Sequence, residues 1–287
     1  MQIVTDSGAD LVPEQMEGLP IYKVPLNIVL QGKTYASGID LQPAEFYALL
    51  EETGAFPTTS MPSAGEFADT YRRLAQNDPD ILSIHISSGL SGTLNTARAG
   101  AAMVPEANIT FFDSMTLSCP LGWMVQFAGK AIQAGWDKES ILAQLEKIRP
   151  RTQGLFTLNT MKYLLHGGRI SHIKSLVATV LNIKPIIGPE KVTGAYAPYG
   201  QGMTLKRTLH HFPEVIAHLI PDMKHTRVQL LHGQNPEAVE ILREAMSARF
   251  DCHFDPVAVI APVLGAHTGP TVVGLGVGDM DVFAGLV

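Results

Sequence analysis

Three short apolar runs in the first half of the chain each end in a pair of polar residues. The runs cover residues 2–5, 81–86 and 109–112, and the pairs that follow them are Asp6-Ser7, Ser87-Ser88 and Asp113-Ser114. Segments with helix-like composition lie between and after these runs. Strand–helix alternation is the pattern of a wound α/β domain, in which ligands collect at the carboxyl ends of the strands. The sequence therefore predicts an α/β fold with ligand-binding groups in these polar loops.

Other elements follow from the same patterns along the chain. Further strands are predicted at residues 21–30, 155–158, 183–187, 228–231 and 257–260, with residues 191–196 as the hairpin partner of 183–187. Helices are predicted at residues 43–52, 64–77, 94–103, 117–135, 138–148, 160–166, 176–181, 205–219 and 236–248. Ser63 is a good N-cap for the second of these helices, because Glu66 completes a capping box.

The loop Ser87-Ser88-Gly89-Leu90-Ser91-Gly92-Thr93 has the composition of an anion-binding site. The first N–H groups of the helix that follows lack internal partners, and its dipole favours negative charge. Glycines let a ligand approach the backbone, and the hydroxyls of Ser88, Ser91 and Thr93 add donors. The alternative is an ordinary strand–helix connection in which Ser91 is only the N-cap.

Three other positions carry polar groups suited to the same task. Thr59 and Ser60 precede Met61-Pro62, so they should lie on an extended loop with free hydroxyls. Arg169 follows a glycine pair that can end a helix, and such a turn would aim its guanidinium. His267 lies in a glycine-flanked segment near the end of the chain. The alternatives are simple turn chemistry for the hydroxyls and an exposed ion pair for Arg169.

The sequence lacks the usual signatures of catalytic and cofactor sites. The loop after residue 86 carries no Walker lysine, and the glycine run at 274–278 precedes no credible helix. A hydrolase elbow needs Gly-x-Ser-x-Gly, and Thr93 stands where the second glycine should be. The ten histidines form no His-Glu-x-x-His motif, so no metal site is predicted. We expect anion binding without metal or cofactor; a serine-dependent acyl hydrolase or transferase using Ser91 is the alternative.

Charge and cysteine content narrow the classes of partner. The net charge is −6 with no block of like charge, which argues against a nucleic-acid partner. Cys119 and Cys252 are far apart and suggest no disulfide framework, as expected in a reducing cytoplasm. The first residues are too polar for a signal peptide, and no run of about 18 apolar residues predicts a membrane span.

Seven motifs, in this order along nearly the whole chain, resemble the DegV family. They are Val4-Thr5-Asp6-Ser7, Thr59-Ser60-Met61-Pro62-Ser63, Ser87-Ser88-Gly89-Leu90-Ser91-Gly92-Thr93, Asp113-Ser114, Gly167-Gly168-Arg169-Ile170-Ser171, Ile183-Lys184-Pro185 and His267-Thr268-Gly269-Pro270. The resemblance implies a two-domain α/β fold with a long-chain fatty acid buried between an N-terminal wound α/β domain (1–152) and a C-terminal α/β domain (153–287). Met61 and Thr271 depart from the glutamine and glycine usual in the family.

The resemblance also implies a role for each matching residue and for the protein. The fatty acid carboxylate would contact Thr59 and Ser91. Secondary contacts to the head group or a partner would come from Ser60, Ser88, Gly92, Thr93, Arg169 and His267. The protein would be a cytoplasmic, non-catalytic carrier without stable membrane insertion. It would present the fatty acid to a separate ATP-dependent fatty acid kinase subunit, which makes acyl phosphate for phospholipid metabolism.

Overall fold

The computed structural model describes residues 1–169 and 183–286, and within them strands and helices alternate as an α/β fold requires. The strands are β1 (Gln2–Asp6), β2 (Ile21–Val24), β3 (Asn27–Leu30), β4 (Lys33–Ala36), β5 (Thr58–Ser60), β6 (Asp80–His85), β7 (Asn108–Asp113), β8 (Thr152–Thr157), β9 (Lys184–Pro189), β10 (Tyr196–Gly202), β11 (Thr226–His232), β12 (Cys252–Val259) and β13 (Val273–Asp279). The α-helices are α1 (Pro13–Met16), α2 (Pro43–Thr53), α3 (Ala64–Ala75), α4 (Thr93–Ala101), α5 (Ser118–Gln133), α6 (Lys138–Ile148), α7 (Lys162–His166), α8 (Leu205–Leu219), α9 (Pro236–Ser247) and α10 (Pro262–Thr268). Short 3-10 helices cover Ser7–Ala9, Arg149–Arg151 and Met280–Phe283.

The first sheet is parallel and brings the predicted polar loops to one edge. Its strand order is β2-β1-β6-β7, and each pair of neighbours runs parallel. Because β1, β6 and β7 lie side by side, the loops after Asp6, His85 and Asp113 share the carboxyl edge of the sheet. All five residues of β1 are buried, as expected for a parallel strand covered on both faces. The predicted α/β class is confirmed.

The second sheet is mixed and has six strands in the order β10-β9-β8-β13-β11-β12. Among its described strands only β11 and β12 run parallel, and the glycine-rich β13 lies between β8 and β11. Helices α8 and α9 pack on one face through an apolar core. Helix α5 is buried along most of its length and contacts β1 of the first sheet and β8 and β13 of the second.

Three sequence expectations were wrong in detail. Residues 191–196 are not the hairpin partner of β9: residues 191–194 form the turn, with Gly194 at φ +68°, and β10 begins only at Tyr196. The extended loop predicted at Thr59 and Ser60 is strand β5, which pairs antiparallel with β3. The single strand predicted at 21–30 is two strands, β2 and β3, which belong to different sheets. The glycine-flanked segment that carries His267 is helix α10.

The capping box at Ser63 and Glu66 is confirmed, because each side chain accepts a hydrogen bond from the other residue's backbone N–H. The helix predicted at 176–181, like Ile170 and Ser171 of the fifth motif, lies outside the described residues. The division at residues 152 and 153 stays a prediction, and β8 begins at that point. No helix in the described part of the chain is long and apolar enough to cross a bilayer.

Candidate ligand-binding site

A cavity with polar groups in its wall lies where the loop after β6 meets β5 and α10. We call it the polar cavity; its wall consists of Leu26, Thr59, Ile86, Leu90, Ser91, Leu117, Arg169, Tyr196, Val263, Leu264 and His267. Four of the predicted site residues, Thr59, Ser91, Arg169 and His267, are therefore brought together.

Thr59 and His267, which are 208 positions apart, meet in this wall. Pairing of Thr59 with Ile28 of β3 fixes the threonine backbone, and its Oγ1 lies 2.8 Å from His267 Nε2. The other ring nitrogen abuts the backbone at Gly167, where a Cβ would stand 2.0 Å from Nδ1. Gly167 therefore permits the close approach of the ring, and any side chain at this position would displace it.

His267 is neutral at neutral pH. Burial lowers the pKa of its imidazole to about 4, and the positive charges of Arg169 and His166 act in the same direction. Nδ1 has no hydrogen-bond partner among residues 1–169 and 183–286, so a proton there would be an unpaired buried donor. The tautomer with the proton on Nε2 is favoured. In that tautomer His267 donates to Thr59 Oγ1, which leaves the threonine hydroxyl free to donate into the cavity.

Ser91 lies just before α4 and is not its N-cap. Gly92 occupies the N-cap position without a side-chain capping bond, so the alternative interpretation of Ser91 as a plain N-cap was wrong. The Ser91 and Thr93 hydroxyl oxygens are 2.8 Å apart, and Ser91 Oγ accepts a long hydrogen bond of 3.4 Å from Thr93 N. Thr93 is fully buried, and it anchors the Ser91 hydroxyl at the cavity wall.

A buried polar network fixes the start of this loop. Asp6 accepts hydrogen bonds of 2.9 Å from the backbone N–H groups of Gly8 and Ile86, and its Oδ2 lies 2.9 Å from His85 Nδ1. His85 Nε2 in turn lies 2.7 Å from Ser83 Oγ. Both nitrogens of His85 are thus engaged within the network, so His85 is not placed to act as a base for Ser91. Sequence reasoning noted the Asp6 carboxylate but missed its partner.

The β9–β10 turn holds the loop from the other side. Ser87 Oγ donates a hydrogen bond of 2.9 Å to the carbonyl of Gly194. A Cβ at Gly89 would stand 2.2 Å from the carbonyl oxygen of Thr193, so the two backbones approach as closely as only glycine allows. The position of the loop after β6, which carries Ser91, therefore depends on contacts to both sheets.

Four predicted site residues, Ser60, Ser88, Gly92 and Thr93, do not line the polar cavity. Ser60 and Ser88 are exposed, and the backbone N–H of Ser88 makes long contacts to Asp113. Gly92 and Thr93 directly follow Ser91 at the start of α4. Arg169 lines the cavity and donates from Nη1 to the Gly167 carbonyl at 2.8 Å.

A second, apolar cavity adjoins the first. Leu117, Tyr196 and Leu264 belong to both walls. We call it the apolar cavity; its remaining wall residues are Ser118, Gly154, Leu155, Phe156, Leu231, Ile260, Thr268, Val272, Gly274 and Leu275. Sequence reasoning missed this set, because residues of β8, β11 and β13 converge on it only through sheet pairing. A polar head site beside an apolar chamber fits an amphipathic anion.

No group of three or more His, Cys, Asp or Glu residues in the described ranges is arranged to hold a metal ion. The polar groups at the cavity are hydroxyls, a neutral imidazole and one guanidinium. These groups can bind a carboxylate by hydrogen bonds and charge.

Comparisons with known proteins agree on one family. Residues 1–278 match a family model described as "Uncharacterised protein, DegV family". A DegV domain-containing protein of Staphylococcus aureus is 32% identical over 273 residues, which cover 95% of this chain and 96% of that protein. A DegV domain-containing protein of Deinococcus radiodurans is 30% identical, with 95% and 93% covered.

Solved structures of similar fold include fatty-acid-binding proteins. A structure described as fatty acid binding of a DegV family protein from Thermus thermophilus superposes with a TM-score of 0.89 at 30% identity, covering 97% of this chain and 99% of that one. DegV of Bacillus subtilis, described as a fatty acid binding protein, has a TM-score of 0.87 at 27% identity, with 97% and 98% covered.

Proposed function

The chain belongs to the DegV family, and we propose that it binds a long-chain fatty acid whose carboxylate contacts Thr59 and Ser91. The observation that carries this proposal is the junction of the polar cavity with the apolar cavity through Leu117, Tyr196 and Leu264. Burial of each methylene contributes about 0.8 kcal/mol, so a long chain gains on the order of 10 kcal/mol before association costs. A buried carboxylate must then be hydrogen-bonded.

The proposed carboxylate contacts follow from the donors at the cavity wall. With the proton of His267 on Nε2, the Thr59 hydroxyl donates to one carboxylate oxygen, and Ser91 donates to the other. Arg169 and His267 are secondary contacts, and Gly92 and Thr93 act by positioning Ser91. Ser60 and Ser88, which are exposed, are better suited to contacts with a partner protein.

Binding is tested by what the purified protein carries. Native mass spectrometry and organic extraction should find free fatty acid at about one per chain, as expected for a single enclosed site. A lipid-free protein that also ignores added palmitate and oleate would contradict the proposal.

We further propose that the protein is the non-catalytic subunit that presents fatty acid to an ATP-dependent kinase subunit. The family resemblance supports this role, and Arg169 is the group best suited to a phosphorylated head, because its guanidinium binds phosphate in a bidentate manner. Arg169→Ala should therefore reduce acyl-phosphate formation in a reconstituted system more than it reduces fatty acid affinity. Equal losses in both would instead assign Arg169 to the carboxylate.

The alternative is an acyl hydrolase using Ser91, but neither His85 nor His267, the histidines described near Ser91, is positioned as its base. His85 is bonded to Asp6 and Ser83, and the proton-bearing nitrogen of His267 faces Thr59. A nucleophilic serine needs a base within hydrogen-bond reach. Treatment with a fluorophosphonate probe should leave Ser91 unlabelled, whereas a labelled Ser91 peptide, or ester turnover lost in Ser91→Ala, would favour the hydrolase.

A further inference from the structure

Two glycines stand in the sheet face that forms the wall of the apolar cavity. Gly154 lies in β8 and Gly274 in β13, and both line the cavity. In the antiparallel pairing Gly274 is opposite Phe156 and Gly154 is opposite Gly276, so these four residues project to the same face. The missing side chains leave space above the sheet.

The two glycines differ in what a side chain would meet. A Cβ at Gly274 would stand 2.4 Å from the Leu155 carbonyl oxygen and 2.8 Å from Phe156 Cβ, so packing excludes one. At Gly154 the nearest atoms are Pro120 Cγ at 3.7 Å and the Leu117 carbonyl oxygen at 3.8 Å, which is ordinary contact distance. The backbone of Gly154 is an ordinary strand, outside the left-handed region. Neither packing nor backbone conformation requires glycine at this position.

Glycine weakens the interior of a strand, because it adds no side-chain packing and costs more backbone entropy. At Gly154 the retained benefit is a gap about the size of a methyl group between β8 and the start of α5. We propose that Gly154 is a specificity-determining residue that sets how long an acyl chain the apolar cavity accepts. This inference rests on the proposed function, because it assumes that a fatty acid tail occupies this cavity.

A side chain at Gly154 would take volume from the apolar cavity beside Leu117 and Pro120, so a chain long enough to fill the cavity would no longer fit completely. Each methylene kept out of the cavity should weaken binding by about fourfold. A shorter chain that does not fill the cavity should be unaffected. The signature is therefore a change in chain-length preference rather than a uniform loss of affinity.

The test compares Gly154→Ala and Gly154→Val with the wild-type protein, after removal of bound lipid. Affinities for laurate, myristate, palmitate and stearate are measured by titration, and folding is checked by thermal melting. Gly65→Ala on α3 is the matched control, because a Cβ there would also meet its nearest atom at 3.8 Å and Gly65 lines neither cavity. The stearate-to-laurate affinity ratio should fall at least fourfold in Gly154→Ala and further in Gly154→Val, and stay constant in Gly65→Ala.

If Gly154→Val does not fold, the ratio in Gly154→Ala decides the question. An unchanged ratio, or an equal loss for all four fatty acids, in a folded Gly154 variant would overturn this inference alone. A wild-type protein that binds none of the four would overturn the proposed function and this inference with it.

Discussion

At the scale of single residues, the site depends on a histidine that is kept neutral by burial. His267 is 8% exposed, and its Nε2 bonds Thr59 at 2.8 Å. A charged imidazole there would attract a carboxylate directly, whereas the neutral ring instead orients the Thr59 hydroxyl. In the proposed complex, affinity for the carboxylate would come from positioned hydroxyl donors, with Arg169 as the charged group of the cavity wall.

Loss of either hydroxyl should weaken fatty acid binding without unfolding the protein. Hydrogen bonds to a charged group contribute about 1.5 to 3 kcal/mol, so Thr59→Ala and Ser91→Ala should each reduce affinity about ten- to a hundredfold. Thr59→Ser should retain most of the affinity, because it keeps the hydroxyl. Ser60→Ala is the control, since Ser60 neighbours Thr59 but is exposed. Unchanged affinity in both alanine variants would place the carboxylate elsewhere.

The depressed pKa of His267 predicts a loss of stability in acid. Its pKa is about 4 in the folded protein against 6.5 for the ordinary side chain, so the unfolded chain binds the proton more readily between these values. His267 makes its full contribution to the free energy of unfolding above pH 6.5. This contribution, on the order of 3 kcal/mol, is lost as the pH falls towards 4.

The His267 contribution can be isolated by urea unfolding of the wild type and His267→Asn at pH 7.5 and 4.5. The stability difference between the two proteins should shrink or reverse at the lower pH, because asparagine does not titrate. A difference that is the same at both pH values would contradict a buried, neutral His267.

At the scale of elements, the loop after β6 is held between the first sheet and the β9–β10 turn. Asp6 of β1 accepts from the backbone N–H of Ile86, and the Gly194 carbonyl accepts from Ser87. The position of Ser91 therefore depends on contacts far from the proposed site of the fatty acid carboxylate. The turn is a positioning element for the proposed binding site.

Alanine substitutions at two glycines with left-handed backbone can distinguish the effect of the turn on Ser91 from the effect of backbone strain. Gly194 has φ +68° and a Cβ there would stand 2.0 Å from Ser87 Oγ, whereas Gly32 has φ +76° and nothing within 4 Å. Alanine at either position should cost about 1 kcal/mol of stability because of the left-handed backbone, and Gly194→Ala should cost more because its Cβ would displace Ser87 Oγ. Only Gly194→Ala should also lower fatty acid affinity; equal affinities in the two variants would show that the turn does not position Ser91.

Local sequence patterns predicted most elements of this fold but only part of the site. Apolar runs ending in polar pairs identified β1, β6 and β7, because strand periodicity and turn composition are local signals. Strand β5 was missed because Thr58–Ser60 is short and polar, and only its pairing with β3 distinguishes it from an extended loop. Helix α10 was missed because its glycine and short length weaken the helical pattern. Motif resemblance pointed to Thr59, Ser91, Arg169 and His267, whereas the apolar cavity depends on long-range strand order.

At the scale of the whole molecule, both cavities are enclosed by residues from distant parts of the chain. The polar cavity takes Leu26 and Ser91 from one half and Tyr196 and His267 from the other. Asp10 contributes to this assembly. Its carboxylate accepts hydrogen bonds from Ser118 Oγ at 2.5 Å and from the N–H of Ala261 at 2.8 Å, and so joins the start of α5 to the start of α10.

The Asp10 carboxylate lines a cleft, and its environment opposes ionisation. Desolvation raises its pKa to about 6, against the lowering effects of the Ser118 and Ala261 hydrogen bonds and of Lys23. The folded state therefore binds the proton more tightly than the unfolded chain, whose ordinary value is 3.8. Asp10 makes its full contribution to the free energy of unfolding below pH 3.8, and this contribution is lost as the pH rises through 6. The contribution of Asp10 therefore changes with pH in the opposite direction to that of His267.

Asp10→Asn should therefore be more stable than the wild type at pH 7.5, by about 1 kcal/mol once partial solvent access and weaker hydrogen bonds are allowed for. The amide can still accept from the Ala261 N–H and donate to Ser118, so the link between α5 and α10 is kept. At pH 4.5, where the wild-type carboxyl is protonated, the advantage should disappear.

Asp40→Asn is the control, because Asp40 accepts a backbone hydrogen bond from Ala36 at the surface and should show no such gain. Urea unfolding at the two pH values measures both variants. A destabilised Asp10→Asn at pH 7.5, with Asp40→Asn unchanged, would mean that the ionised carboxylate itself stabilises the junction of the two helices.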